Sequence, residues 1–483
     1  MTYKRTFLSF ASFLFATTSL VLATDQSQEK TPAVSENTPV VSLEDTLSRT
    51  YMQNTDLDAQ RAQLRQTDET VNQALDQWRP SVSVQGAQNR NGNFPTKGRN
   101  SFGGNTNVQT QVNQNIFAGG GTVASTKKAE STVMAGRSEL TNQEQTSLFQ
   151  AVQSFFNVIA RREIVEARKK NEEFLRQTLE QTQARYEVGE VSRGDVAAAE
   201  ASYAQATAQR VQAVGDYEVA QATFYQVVGS PAGNLVMPKL LLPIPDKLTD
   251  AQKIALAKNP AIFQARHALE AAQHNVDVQL AGLLPTVNMS GTSTTGRATQ
   301  SPPRREAKGT DLSAQVVVSV PLYSQGIPSS QVRQAYQAVG QSKVQLEGVR
   351  RAVRKTVTEA WDSLLAARKA VEQYVASVRA QKLAVEGVTE EAAVGIRTVL
   401  DILEQEKRYI DTEVELIQAE QSLMVASYQV LQSMGQLTAR ELGLNVKYYD
   451  PEKHYNDVKW ASFQFWEGED ERYVRDEDEG TAE

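Results

Sequence analysis

The chain of 483 residues contains no cysteine. That excludes a disulfide framework, a thiolate metal site and a lipid-attachment cysteine, so any hold on a membrane must come without a covalent lipid. Histidine is nearly absent as well, with His267, His274 and His454 only. The first two are seven apart on an expected helix, about 10 Å along its axis, too far to share a metal without other ligands, and they read as surface residues. No Gly-rich phosphate loop and no nucleophile elbow occurs, so an enzyme is not expected, nor any cofactor or metal. After residue 22 no stretch is apolar enough to cross a bilayer as a helix. No basic stripe with interleaved aromatics is present, which disfavours nucleic acid as a partner.

The formal charge of −7 is nearly all tail: between Glu467 and Glu483 stand nine carboxylates against Arg472 and Arg475. Residues 467–483 therefore read as an acidic, solvated extension. At the other end Lys4 and Arg5 precede an apolar run from Thr6 to Leu22, with Val21, Leu22 and Ala23 before a cleavage point. Residues 1–23 are expected to be a secretory signal peptide, and 24–42, rich in Ser, Thr, Pro and Gln, a flexible leader.

What is present is a sequence written twice. Leu43, Asp45, Asn54, Arg61, Leu64, Val71, Pro80, Val82 and Gly86 recur 205 residues on as Leu248, Asp250, Asn259, Arg266, Leu269, Val276, Pro285, Val287 and Gly291. The offset then becomes 206. Gly120, Phe155, Val188, Gly189, Ser192, Asp195, Tyr203 and Gly229 meet Gly326, Trp361, Val394, Gly395, Thr398, Asp401, Tyr409 and Gly435. The extra residue falls in a polar loop, where insertions are cheapest. Agreement of turn, strand and helix signals over this span indicates a tandem duplication, with a first repeat over 43–240 and a second over 248–445. Residues 446–466, with Tyr448, Tyr449, Asp450 and Tyr455, are expected to pack back on the helices near their middle.

Between Gly121 and Val188 there is no proline, in a composition dominated by Ala, Gln, Glu, Arg and Val. The spacing predicts a helix about 100 Å long, several times the width of an ordinary domain. A second helix is expected over 193–228, and both recur over about 329–394 and 399–434. Val152, Phe155, Phe156, Ile159, Phe174, Leu175 and Leu179 keep helical spacing in a narrow stripe, which describes helices packed side by side in a coiled-coil-like layer.

Each half also holds two segments of period two, expected as strands over about 81–89 and 105–117, then 286–297 and 310–321. Val82, Val84 and Gly86 alternate with Ser81, Ser83 and Gln85; Val108, Val112 and Ile116 alternate with Gln109, Gln111, Asn113 and Asn115. One apolar and one amide-rich face suit lipid outside and water inside, about ten residues being enough to cross an outer membrane. The ordinary alternative is a hairpin packed on a helix, for which the long polar helices offer little surface. Four strands cannot close a barrel, and an open edge in hydrocarbon leaves backbone groups unpaired. Three copies would supply twelve strands, with Arg90 to Gly104 and Ala298 to Gly309 as loops on the outer surface.

These residues resemble the TolC family of outer-membrane efflux and secretion channels, over about Leu43 to Trp460. The resemblance is carried by Asn259–Pro260, Leu284–Pro285, the run Pro321, Leu322, Tyr323 and Gly326, and above all by the tips. Val394, Gly395, Ile396, Arg397, Thr398, Val399, Leu400, Asp401, Ile402 and Leu403 are similar to the family's inner helical hairpin; Tyr186, Val188, Gly189, Ser192, Asp195 and Val196 are similar to its partner. The resemblance implies an α+β membrane protein, a homotrimer whose 12-stranded β-barrel, four strands per chain, continues into the periplasm as a long α-helical barrel. It also implies docking to a membrane-fusion adaptor and an inner-membrane transporter, as the exit duct of a tripartite efflux pump or type I secretion system.

Turn chemistry gives the tips a local reading. Gly189 and Gly395 supply a left-handed helix stop, and Ser192 and Thr398 cap the next helix with Asp195 and Asp401 completing capping boxes. The family's entrance implies a further role: Arg397 and Asp195 link neighbouring hairpins and hold the channel shut, while Asp401 and Glu404 line the constriction as an acidic ring. Gly189, Glu190, Val191, Gly395 and Ile396 are the expected adaptor contacts. Ala392 stands where the family pattern often has tyrosine, and Glu404 where aspartate is common. A non-channel coiled-coil scaffold or adaptor of the periplasm would explain the helices, though not four alternating strands at matching positions.

Overall fold

The structure, a computed structural model, describes residues 40–238, 244–301 and 305–461. The expected signal peptide and acidic tail lie outside the described residues, as does most of the leader.

Each half is built from the same series of elements. The first has α1 (Leu43–Gln53), α2 (Thr55–Asp76), β2 (Ser81–Asn93), β3 (Ser101–Ala118), α3 (Gly121–Glu187) and α4 (Arg193–Val228). The second has α5 (Leu248–Lys258), α6 (Pro260–Ala281), β5 (Thr286–Ser301), β6 (Arg305–Ser319), α7 (Ile327–Ala393) and α8 (Val399–Ser433). A short parallel pair, β1 (Val40–Val41) with β4 (Asn234–Leu235), and α9 (Lys453–Val458) complete the described chain. The leader thus ends earlier than expected. Val41 is buried, and Ser42 opens α1 with a capping box on Asp45, so a strand and a helix cap claim residues 40–42.

α3 and α7 each have 67 residues, about 100 Å at 1.5 Å per residue. Their neighbours are segmented. α4 stops at Gly229, and α2 begins beside its end, where Asn54 does two jobs: its Oδ1 accepts from the Leu57 amide at 3.0 Å and its Nδ2 donates to the Val227 carbonyl at 2.9 Å. Asn259 repeats this, accepting from the Ala261 amide at 3.0 Å and donating to the Ser433 carbonyl at 3.0 Å. One side chain therefore satisfies an orphan donor of one helix and an orphan acceptor of another. The main core gathers at this level. Phe155, Phe156, Ile159 and Val152 of α3 gather with Val357 and Leu364 of α7, Leu431 of α8 and its C-cap Met434, all fully or nearly fully buried. Each such side chain contributes about 1.5–3 kcal/mol.

Residues 446–461 lie against α2, α3 and the Tyr51 region. The Tyr449 amide donates to the Tyr51 hydroxyl at 3.0 Å, Arg137 pairs with Glu452 at 3.0 Å, and His454 Nδ1 lies 3.2 Å from the buried Asp68 carboxylate. Burial raises the Asp68 pKa, an effect that His454 opposes.

The sheet is antiparallel, in the order β2-β3-β5-β6, and is shared by both halves through the β3–β5 pair. Its strands reach further outward than the alternation suggested, so much of 90–104 and 298–309 is ladder and not loop; only residues 94–100 separate β2 from β3. Asn89, Arg90, Asn91 and Gly92 have no strand propensity of their own, but each is paired, with Asn105, Gly104, Gly103 and Phe102. β6 ends at Ser319, two residues short of the expected end, since Pro321 has no amide to donate.

Register sorts the two faces of the sheet. Val82, Val112, Gly291 and Ala314 form one row, and Val84, Val108, Val316, Leu312, Met289 and Val318 fall on the same side. Rows Ser83–Gln111–Thr292–Ser313 and Gln85–Gln109–Thr294–Asp311 fall on the other. The apolar side is uncovered, with Leu312 83% and Val84 67% exposed. Among the described residues of the single chain, the outer edges of β2 and β6 have no partner strand.

Candidate functional site

The two hairpin tips lie at the far ends of α3 and α7, one 67-residue helix away from the sheet. Both turns are built alike. Gly189 and Gly395 have φ of 81°, a conformation that disfavours any Cβ. The amide after each reaches back over the turn, Glu190 to the Arg185 carbonyl and Ile396 to the Glu391 carbonyl, both at 2.9 Å, satisfying carbonyls at the helix end.

The next helix then starts with a capping box. Asp195 Oδ2 accepts from the Ser192 amide at 2.9 Å and from its hydroxyl at 2.8 Å. Asp401 Oδ2 accepts from the Thr398 amide and hydroxyl, both at 2.9 Å. These bonds hold both carboxyls below the usual range: for Asp195 the Ser192 hydroxyl leads, for Asp401 the Thr398 amide, with Arg397 adding its charge.

Arg397 donates from Nε to Glu391 Oε2 at 2.9 Å, inside its own hairpin. That bond, more than the Asp401 charge, raises its pKa. Within one chain no hydrogen bond or ion pair among the described residues joins Arg397 to Asp195. Arg185 and Glu190 make the equivalent pair at 3.1 Å in the first hairpin. Sequence reasoning missed both pairs, because their spacings of six and five residues cross a left-handed turn and fall outside the helical i+3 and i+4 rule. Glu404 projects from α8, with Arg408 at 4.0 Å.

Gly189, Glu190, Gly395 and Ile396 are exposed, Ile396 to 74%. Val191 instead turns inward onto a small cluster of Leu175, Ala199, Ala206, Val399 and Leu403 that packs the two hairpins together. Val188 and Val394, each 72% exposed at the helix C-caps, join Ile396 as outward apolar residues.

Glu406 was not anticipated. Val399, Leu403, Glu406 and Ile410 form the buried stripe of α8, with Glu406 only 5% exposed. Burial, helped by the charge of Glu413, pushes its pKa up to about 7. The interruption of an apolar 4-3-4 spacing by a carboxylate was the available signal. Further up the wall an open groove of about 670 Å³ between the helices is lined by uncharged groups, among them Gln150, Gln153, Asn157, Gln421 and Gln429.

Among the described residues no group of His, Asp and Glu could hold a metal ion, and no helix is long and apolar enough to cross a membrane. The uncovered apolar face of the sheet is a different kind of surface. The family model described as outer membrane efflux protein matches twice, over residues 46–230 and 252–436. The chain belongs to the outer membrane efflux protein family. It is 35% identical over 414 residues to the outer membrane efflux protein BepC of Brucella suis biovar 1 (strain 1330), covering 86% of this chain and 89% of that one. Outer membrane protein TolC of Escherichia coli (strain K12) is 25% identical over 352 residues, 70% of this chain and 71% of TolC. Among solved structures, the CmeC outer membrane channel of Campylobacter jejuni superposes with a TM-score of 0.70 at 15% identity, covering 86% of this chain and 89% of CmeC, which shows a common fold. The protein is thus an outer-membrane transport protein whose helices extend into the periplasm.

Proposed function

We propose that three copies of this chain close a 12-stranded barrel in the outer membrane and continue it as a helical tunnel across the periplasm. The tunnel is the exit duct of a tripartite efflux pump or type I secretion system. The observation that carries this reading is the sheet: one face apolar and uncovered, the other amide-rich, with unpaired edges at β2 and β6. In hydrocarbon each unpaired backbone group costs several kcal/mol, a penalty that edge-to-edge closure with further copies removes. The duplicated order of elements in each chain gives the tunnel an approximate sixfold wall.

The tips then form the closed end. Arg397 and Asp195 of neighbouring hairpins are the proposed latch, and Asp401 and Glu404 repeat about the axis as an acidic constriction. At about 8 Å, like charges repel by about 0.5 kcal/mol in water and about 2 kcal/mol at an intermediate dielectric, so closure depends on bonds such as the latch. A membrane-fusion adaptor and an inner-membrane transporter, docking at the exposed Gly189, Glu190, Gly395 and Ile396, exchange those bonds and open the duct, while Val191 holds the tip from inside.

Single-channel recording of the purified protein in a planar bilayer tests this. A small conductance, blocked by trivalent cations from the periplasmic side, is expected. Folded, oligomeric protein that makes no pores would overturn the duct.

A further inference from the structure

The register of the sheet places three cations where the apolar face ends. Ten residues along β5 from Val287 lies Arg297, and ten residues back along β6 from Val318 lies Lys308, its direct cross-strand partner. Ten residues at about 3.4 Å, tilted by about 45°, rise about 24 Å, the height of the apolar band of an outer-membrane barrel. Gln88, Thr106, Arg297 and Lys308 form one row, and Arg90, Gly104, Thr299 and Glu306 the next row outward. All share the face of Val82, Val108 and Leu312. Arg90 and Arg297 line an open groove of about 700 Å³, which Phe94 and Phe102 also line, their rings edge-to-face at 5.6 Å. Phe102 belongs to the same face, and Phe94 covers Gly92 beside it.

A lipid-facing surface that turns from valine to arginine and lysine, bordered by aromatic rings, has the pattern of a membrane-water boundary. Arginine at such a boundary matches phosphate in a bidentate fork, and a lysine beside it adds a point charge. We propose that Arg90, Arg297 and Lys308 form a binding surface for the phosphorylated headgroups of outer-leaflet lipid. The proposal rests on the barrel reading above, because that reading turns this face outward. Across these two rows the register places three cations and one acidic position, 306, which gives the surface its sign, and its continuity with the apolar band fixes the occupant as a lipid whose chains run down over Val108 and Leu312.

The test uses the full-length assembled protein, stripped of lipid, with lipid A carrying its phosphates, the same lipid dephosphorylated, and inorganic phosphate as probes. Bound lipid is read by native mass spectrometry and by the melting temperature of the oligomer. Phosphorylated lipid A is expected to bind at least about tenfold more tightly than the dephosphorylated form, and the combined Arg90→Gln, Arg297→Gln and Lys308→Gln variant to lose that difference. Arg297→Lys, which keeps the charge, should retain most of it. Equal binding of the two lipids, or unchanged selectivity in the triple variant, overturns the site. Equal effectiveness of inorganic phosphate overturns the lipid assignment in favour of a free-anion site. If the triple variant fails to assemble, the two-lipid comparison on the unaltered protein still decides. Conductance on the same samples separates the two readings: pores without lipid selectivity reject the surface alone, and no pores reject the barrel with it.

Discussion

The Arg397 guanidinium closes on the Glu391 carboxylate of its own hairpin at 2.9 Å through Nε, while the rest of its planar fork points from an exposed tip. A bond through Nε leaves donors for a second carboxylate, which the proposed latch requires. Arg397→Ala should therefore raise single-channel conductance several-fold. Glu391→Gln, which releases Arg397 to a neighbouring hairpin, should leave it unchanged or lower it. Equal conductance for Arg397→Ala and the parent protein would remove Arg397 from the gate.

Asp401 caps α8 and carries a charge, and a substitution can separate the two. Asp401→Asn keeps an acceptor for the Thr398 amide and should weaken trivalent-cation block while leaving the helix start intact. Asp401→Ala should also speed amide exchange at the start of α8, since the Asp401 half of the capping box is lost while the Thr398 hydroxyl still accepts from the residue-401 amide. Because its folded pKa is depressed, the cap's stability is complete above the ordinary carboxylate range and is lost as pH falls through the lowered value. Cation block measured at pH 4 should accordingly survive.

Gly395 and Gly435 share a left-handed backbone and differ in surroundings. An added Cβ at Gly395 meets open space, whereas at Gly435 it would lie 2.8 Å from Asn259 Cα and from the Lys258 carbonyl oxygen. Gly395→Ala should destabilise by about 1 kcal/mol, the backbone penalty alone. Gly435→Ala should destabilise by several-fold more, through displacement of the α5–α6 junction, in denaturant titrations followed by circular dichroism.

Glu406 predicts a pH profile. Its pKa is raised, to about 7, so the stability tied to its neutral form is full below about pH 4.5 and is lost as pH rises through 7. At pH 8 the folded chain buries a carboxylate beside Glu413. Glu406→Gln should be more stable than the parent protein by roughly 2 kcal/mol at pH 8 and equal to it near pH 4.5. A difference between the two proteins that does not change with pH across that range would show that Glu406 titrates in the fold as it does unfolded, against the raised value.

Helix ends at the tips were legible because their chemistry is local: a glycine, then Ser or Thr, then Asp three residues on, within ten positions of chain. Strand interiors were legible through alternation at Val82, Val84 and Val108. The outer strand ends were not, because Asn89 to Asn93 are held in the ladder by partners on β3 and not by their own propensity. The tip charges were only half legible. Asp195 and Asp401 are local caps, but the partner of Arg397 depends on how the turn folds back across Gly395. The inward turn of Val191 depends on Leu175 and Leu403, distant in sequence, which no local pattern reports.

The equal length of α3 and α7 restricts how such a chain can change size. Removing one residue from either rod would shorten it by about 1.5 Å and swing everything beyond the cut by about 100° around its axis, turning buried Phe155 or Leu364 toward water. The tip would no longer stand level with its twin. A longer or shorter relative must therefore gain or lose residues in both rods together and in near-integral turns, along with the shorter helices beside them. The reach of the helical part from sheet to tip is thus written into the count of residues between Gly120 and Gly189, and again between Gly326 and Gly395.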